Sequence, residues 1–482
     1  MSLPTPTHAQ EAHIPVSDRV PLPQKIAFGT GQIAGTLSSE IGNQLVRPVF
    51  VLNPAIGFSP ATIGFCEAIY RMWDAVTDVW MGSVSDNTRT RWGRRRPYIF
   101  IGSILLGFVV PAMFMFDQGW STQAILFWMV GFQLLLFTCQ TIFNVPWQSL
   151  QLELTPNSAE RTSVSSYRSA LGSVVGLVAP WLWAIIQLPV FNNAAGQTDV
   201  VRGAFWVALV AGVLIIAAGL VPAIFCREPY YKSIVNQTKV SVLTDLKLTF
   251  KNTVFLRIML ITLLMIVSGS TVDGLNFFTR LYYVFEGDTV AAARFTGIAG
   301  NVAAISGFAA IPLYNYLAHR FGKRATLLGS AIVMAMAALS TWVFYIPENP
   351  YLMLINVVLG VPPVIGYWVL FPSMLGDAAD HDELTTHKRR EGSFSAIYSW
   401  SVKVALTIGG ALSGLVVVWA GFASGSAVLI QSPETITNMR LLLALLPIGI
   451  LGAAIWCIAG YPLTNTRMLE IRAELEARRG RL

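Results

Sequence analysis

Asp74 and Asp78 stand four residues apart in a stretch, from about Pro60 to Val84, that is apolar enough to lie in a lipid bilayer. A charged side chain at bilayer depth costs at least ~2.5 kcal/mol on insertion scales. Two acids and Arg71 on one such helix therefore need a compensating role. Side chains at that spacing share a helix face, with Cβ atoms about 5–6 Å apart. Two carboxylates so close cannot both stay ionised and dry without a cation between them. They can share a proton, or hold a sodium ion with help from neutral oxygens. Thr77 on the same helix and Thr141 on the fourth apolar segment are the candidate oxygens. Either state makes a coupling device, neutral enough to move only with the ion aboard. The plainer reading is a structural acid pair neutralised by Arg71.

Other polar residues interrupt apolar segments. Lys403, in Trp400-Ser401-Val402-Lys403-Val404, is too far from a helix end to snorkel easily. It can face a carboxylate or a hydroxylated ligand, or pair with Asp74. Gln140, Asn144 and Gln148 recur every four residues and line one face. Amides both donate and accept, which suits hydroxyl-rich ligands; they also serve as glue between helices. Arg168 lies just inside the fifth segment, Glu40 and Arg47 in the first, and Asp273, Asn276 and Arg280 in the seventh. Arg280 can reach the outer interface in a structural role. Trp368 can stack on the apolar face of a sugar ring, although a single tryptophan is more often packing.

These residues need a membrane scaffold. The chain has 482 residues, 54% hydrophobic and 12% charged, with mean hydropathy +0.57. Soluble proteins carry about 25% charged residues, so this chain must hide apolar surface in lipid. Apolar windows fall near 26–52, 60–84, 97–116, 123–150, 164–190 and 203–226, then near 255–284, 291–318, 325–346, 350–376, 392–421 and 438–462. The expected division is a tail (1–25), a six-helix bundle (26–226), a basic middle loop (227–254), a second bundle (255–462) and a C-terminal tail (463–482). Positive residues collect in alternate loops: Arg89 to Arg96, Arg161, Arg227 to Lys251, Arg320 to Arg324 and Lys388 to Arg390, with more in the C-terminal tail. Positive loops stay cytoplasmic, which puts both termini on the cytoplasmic side of a plasma (inner) membrane that the chain crosses many times. The +7 net charge follows from this topology, and no nucleic-acid partner is expected. The four cysteines are far apart and form neither a metal spacing nor a disulfide framework. No nucleotide-binding loop or catalytic triad is present, so an enzyme is not expected and no cofactor beyond the coupling ion.

An internal repeat supports the division. Arg91-Trp92-Gly93-Arg94-Arg95 after the second segment is echoed by Arg320-Phe321-Gly322-Lys323-Arg324 after the eighth. Two six-helix halves in parallel repeat, with substrate between them, are the architecture of the major facilitator superfamily. The fold expected is therefore all-α, with twelve transmembrane helices in two pseudo-symmetric halves. Asp86, Arg91 and Arg94–Arg96 are expected to form a charge network at the arginine loop rather than a substrate site.

Several segments resemble one family of that superfamily. Arg71-Met72-Trp73-Asp74-Ala75-Val76-Thr77-Asp78, then Met81-Gly82, then Thr88 through Pro97, is similar to the glycoside–pentoside–hexuronide:cation symporters, the melibiose-carrier-like transporters. Asn144-Val145-Pro146-Trp147-Gln148-Ser149-Leu150, Glu160-Arg161 through Tyr167-Arg168, and Tyr367-Trp368 through Asp377, Gly392 and Lys403 agree in the same order. The resemblance implies a symporter that uses a proton, sodium or lithium gradient to accumulate a sugar. It implies Asp74, Asp78, Thr141 and possibly Thr77 as the cation site, and Asn144, Gln148, Arg168, Trp368, Ser399 and Lys403 at or beside the sugar. The chain departs from the family in having Val79 where proline follows the second acid, and Thr77 in place of an amide. With few neutral ligands beside the acids, protons are slightly favoured over sodium. The partners expected are a sugar or glycoside, the cation and the bilayer, with the protein a monomer. Three rivals stand beside this reading: a cation-driven antiporter exporting an amphipathic compound, a non-transporting membrane receptor or enzyme, and a uronate symporter using Arg168 and Lys403.

Overall fold

The computed structural model describes residues 19–155, 157–193, 196, 198–228, 252–386, 391–423 and 431–479. Lys232, Lys239, Lys247, Lys251, Lys388, Arg389, Arg390 and Arg481, counted above among the loop and tail charges, lie outside these residues.

Helix α1 runs Leu22–Val46 and ends in a π-helical turn, Arg47–Val51. Then come α2 (Pro60–Asn87), α3 (Arg96–Ala112), α4 (Thr122–Leu154) and α5 (Ser158–Val178). A 3-10 turn and Leu182–Ile185 continue α5, and α6 is Val200–Phe225. The second set begins with α7 (Thr253–Thr279), which also ends in a π-helical turn, Arg280–Val284. It continues with α8 (Thr289–Phe321), α9 (Lys323–Phe344), α10 (Met353–Thr386), α11 (Glu391–Trp419) and α12 (Pro433–Ala459). A terminal helix, α13 (Asn465–Arg479), follows.

Each apolar window coincides with one of α1–α12. The largest difference is α10, which continues to Thr386 past the window's end at 376. Asp377, Asp380, Asp382 and Glu383 end the hydropathy signal there, yet Ala378, Ala379 and Asp382 are buried and the helix goes on. Among the described residues, nine helices are long and apolar enough to cross a membrane. α3 falls short in length, and α2 carries Glu67, Arg71, Asp74 and Asp78. Ser59, Ser121, Asp199, Asn252, Asp288 and Ser432 cap their helices by accepting from backbone N–H groups of the first turn. Each such cap contributes about 1 kcal/mol.

Packing repeats between the sets. α1–α5, α1–α6, α2–α4, α3–α4 and α3–α6 contacts recur as α7–α11, α7–α12, α8–α10, α9–α10 and α9–α12. Across the sets, α2 packs on α11 and its counterpart α8 packs on α5. One apolar core joins α1–α6 to the far ends of the second set, including Phe278, Ala292, Val417 and Met439. The remainder of the second set, including Phe255, Leu327, Phe371 and Phe394, forms its own core. The two sets therefore share a core at the end opposite the arginine loop and have separate cores at the arginine end.

Glycines permit that closure. A Cβ on Gly414 of α11 would lie 2.3 Å from the Pro60 carbonyl oxygen, and one on Gly300 of α8 would lie 2.3 Å from the Pro180 ring. Both contacts are at the shared-core end.

Candidate functional site

Near the middle of α2, Asp74 and Asp78 face α11. Lys403 Nζ lies 2.7 Å from Asp74 Oδ2 and 2.5 Å from Asp78 Oδ2. Thr141 of α4 lies on the other side, its hydroxyl 2.9 Å from Asp78 Oδ1 and 3.3 Å from Asp74 Oδ1. Thr77 Oγ1 is 3.2 Å from Thr141 Oγ1. On the same helix the Trp73 indole N–H donates to Thr138 of α4 at 2.8 Å, one turn before Thr141. All four residues expected at the cation site thus converge. Lys403, expected beside the sugar or paired with Asp74, pairs here with both acids. Arg71 makes no ion pair with either acid, so the plainer reading needs correction, because the neutralising group is a lysine from the other helix set.

Two carboxylates and one ammonium leave a net charge of −1. Lys403 meets one oxygen of each carboxylate, and the other oxygen of each accepts from Thr141, which Thr77 adjoins. The side chains of Asp74, Asp78 and Lys403 are 24%, 33% and 28% exposed, so the site is not sealed within the protein.

The expected substrate residues are only partly gathered. Arg168 Nε donates to Gln32 Oε1 at 2.7 Å and Nη1 to Gln151 Oε1 at 3.3 Å. Its guanidinium lies 4.8 Å above the Trp147 ring, and Trp147 is pinned by its N–H to the Phe28 carbonyl at 3.0 Å. Gln32, Trp147 and Gln151 were not expected here, since no spacing in the sequence joins them to Arg168. Asn144 approaches α1 where Gly35 leaves room, since a Cβ there would lie 2.7 Å from Asn144 Oδ1. Gln148 is exposed, while Gln140 is buried and 3.4 Å from Ser38 Oγ. The three amides therefore share a face but not an environment. Trp368 is packed on Tyr367 with ring centroids 5.3 Å apart, and Ser399 is exposed one turn before Lys403. Among the described residues no hydrogen bond joins Trp368 or Ser399 to the Arg168 group.

The arginine loop is a structural network, with one change. Arg94 and Arg95 converge on Glu153 of α4, at 2.7 and 3.0 Å, and Arg95 also pairs with Asp86. Arg96 donates to the Ala223 and Ile224 carbonyls at the end of α6. Glu228 accepts from the backbone N–H groups of Arg94, Arg95 and Arg96 at 2.9, 3.0 and 3.2 Å. An anion at a helix N-terminus is favoured by the unpaired N–H groups there. Arg91, expected in this network, is exposed instead.

Another charged group lies at the shared-core end, where Glu67 joins the Glu40, Arg47, Arg71, Asp273 and Arg280 already noted. Glu67 lies seven residues before Asp74 and four before Arg71, on the same face of α2, a spacing visible in the sequence. Arg47 pairs with Asp273 across the two sets at 2.7 Å. Arg280 lines a cavity with them.

Comparison with known proteins agrees with this architecture. A family model described as MFS/sugar transport protein matches residues 28–465. The chain is 22% identical to the "Glucuronide carrier protein homolog" of Escherichia coli, over 94% of this chain and 95% of that protein. It is 26% identical to the "Putative glycoside/cation symporter YagG" of the same organism, over 94% of each. Among solved structures, the nucleoside transporter NupG superposes with a TM-score of 0.62 at 13% identity, covering 91% of this chain and 100% of that one. With an all-helical doubled fold, an acid pair bridged between the helix sets and a family match over most of its length, the chain belongs to the MFS/sugar transport family, in its glycoside–pentoside–hexuronide:cation symporter branch, and is a membrane transporter rather than an enzyme.

Proposed function

We propose that the protein is a cation-coupled symporter that carries a sugar or glycoside into the cell by alternating access. The observation that carries this is Lys403 seated between Asp74 and Asp78 at 2.7 and 2.5 Å. The ammonium comes from α11 and the acids from α2, so the pair ties the two helix sets together. Lys403 occupies the place a coupling ion would take. A proton on one acid, or a sodium ion among the carboxylate oxygens and the Thr141 and Thr77 hydroxyls, competes with it. Ion arrival frees Lys403 and loosens the tie between the sets; ion loss restores it. A proton needs fewer neutral ligands than sodium and fits the two hydroxyls available.

The bodies that move are the sets 26–226 and 255–462. Separate cores at the arginine end and a shared core at the other support a form open at the arginine end. With positive loops inside, that end is cytoplasmic, both termini are cytoplasmic and the host is the plasma (inner) membrane. A monomer suffices, because both halves of the site lie in one chain. Sugar contacts fall to Arg168, Asn144 and Gln148, with Trp368 and Ser399 approaching from the second set. A uronate substrate is the second reading, favoured by Arg168, whose polar partners Gln32 and Gln151 are both neutral.

Proteoliposomes loaded with buffer and screened with labelled neutral and uronic sugars under imposed proton or sodium gradients test this. Uptake above the no-gradient level with one ion is expected, and Asp74→Asn and Asp78→Asn should weaken the gradient dependence. No sugar moving with either ion would overturn the reading.

A further inference from the structure

A second polar space lies between the helix sets, toward the shared-core end from the acid pair. It is a cavity of about 420 Å³ bounded by α1, α2, α7, α8 and the continuation of α5. A neighbouring cavity of about 160 Å³ shares Asn43, Glu67 and Arg71 with it. Arg47 is held by Asp273 at 2.7 Å, and Glu40 accepts from Gln44 at 3.2 Å. The other three charged groups are different. Among the described residues, no hydrogen bond or ion pair reaches the side chains of Glu67, Arg71 or Arg280. Arg71 Nε and the nearby Tyr70 hydroxyl are buried polar atoms without partners. Leaving such groups unmet costs about 1–3 kcal/mol each, so the arrangement gains from something that completes it.

The chemistry of that occupant follows from the walls. Glu67 accepts hydrogen bonds; Arg71 and Arg280 donate them. Trp183 and Phe277, with ring centroids 5.0 Å apart, supply an apolar wall. Room for Glu67 is made by Gly410 of α11, where a Cβ would lie 3.2 Å from Glu67 Oε2. Glu40, Glu67 and Asp273 balance Arg47, Arg71 and Arg280, so the walls carry no net formal charge. A charged ligand would unbalance them. A neutral molecule with hydroxyls that donate and accept and with a C–H face would not. Arg47 and Arg280 also begin the two π-helical turns, at equivalent places in the two sets; such turns are frequent at functional sites.

We propose that this cavity is a saccharide-binding station for neutral sugars, separate from the Arg168 group and reached from the shared-core end. It rests on the transport reading above, which supplies the sugar. Glu67 and Arg280 bind hydroxyls directly, and Trp183 covers the ring face.

The test is equilibrium binding of the labelled neutral sugar that the transport screen selects, to purified full-length protein. Glu67→Ala and Arg280→Ala should each weaken binding tenfold or more. Each substitution also removes a charge from a balanced wall, so thermal stability is measured alongside binding, and a loss of affinity in protein that remains folded is what supports the station. Glu67→Gln, which still accepts from a hydroxyl, should recover most of the affinity; a role confined to charge would be lost with Gln as with Ala. The corresponding uronic sugar should compete at least tenfold less well than the neutral one. Both alanine variants binding as wild type would overturn the station while leaving transport standing. Wild-type protein that neither moves nor binds any sugar would overturn the transport reading and the station together.

Discussion

Lys403 Nζ lies 2.5 Å from Asp78 Oδ2, although 325 residues separate them in the chain. The contact crosses from the second helix set to the first, and it makes the protein's own ammonium a competitor for any ion the acids would bind. Removing the competitor should therefore tighten ion binding while slowing the return of the empty carrier. For Lys403→Gln the expected result is a fall of about tenfold in the ion concentration that half-saturates sugar binding, equivalent to about 1.4 kcal/mol. Net uptake should fall at the same time. Ion-dependent binding and uptake, measured on the same preparation, check the two directions. A half-saturating concentration that rose would show that the lysine assists the ion instead.

The two acids are not equivalent. Asp78 receives the shorter contact from both Lys403 and Thr141, at 2.5 and 2.9 Å, against 2.7 and 3.3 Å for Asp74. Asp78→Asn should therefore raise the half-saturating ion concentration more than Asp74→Asn does. Stability should change little in either case, by no more than about 1 kcal/mol, because the three charged side chains are partly exposed to solvent. Comparing the ion titrations of the two variants decides the order.

Closure of the shared-core end depends on two backbones in near contact. Gly414 of α11 faces the Pro60 carbonyl, and Gly64 of α2 faces Gly410, whose carbonyl oxygen would be 2.9 Å from a Cβ on Gly64. Gly414→Ala has nowhere to put its methyl group unless the helices part. Overpacking of this kind costs about 1–3 kcal/mol, and here the cost falls only on the state closed at that end. The population should shift toward the form open there. Labelling of Asn43→Cys by a membrane-impermeant thiol reagent, added from the shared-core side, should accelerate in the Gly414→Ala background. Unchanged labelling would mean that α2 and α11 do not set the closure.

The helices were legible because hydropathy alone marks a bilayer-spanning segment, and the doubled arginine motif marked the repeat. Gly93 and Gly322 confirm that repeat in the backbone, with φ of +104° and +88°, a conformation glycine adopts without strain. Asp74, Asp78 and Thr141 were legible as a site because charges in lipid need a reason and spacing fixed their face. The partner of the acids was not fixed by sequence, since Lys403 reaches them through helix packing that no local pattern records. Glu67 escaped notice despite its spacing, because a single acid eleven residues before Asp78 looked like one more polar residue in a helix already rich in them. Arg168 was found but its neighbours were not: Gln32 and Gln151 come from other helices and carry no signature of their own.

The repeat extends to the ion pairs. Arg94 meets Glu153 of α4 at 2.7 Å, and Lys323, at the matching place in the second motif, meets Asp377 of α10 at 2.6 Å. Arg96 and Arg324 both donate to carbonyls at the ends of the last helices of their sets, α6 and α12. The first pair is the more deeply enclosed: Glu153 has a 3% exposed side chain and serves both Arg94 and Arg95, whereas Lys323 is 26% exposed. Breaking a buried pair leaves an uncompensated charge and costs about 3–5 kcal/mol. A hydrogen bond to a charged group is worth about 1.5–3 kcal/mol, and the exposure of Lys323 puts its pair at the low end. Glu153→Gln should therefore lower the thermal midpoint of the detergent-solubilised protein well below that of Lys323→Gln. Because the Glu153 network lies within one helix set, both variants that remain folded should keep the wild-type ion dependence of sugar binding. A changed ion dependence in Glu153→Gln would instead tie the arginine loop to the coupling step.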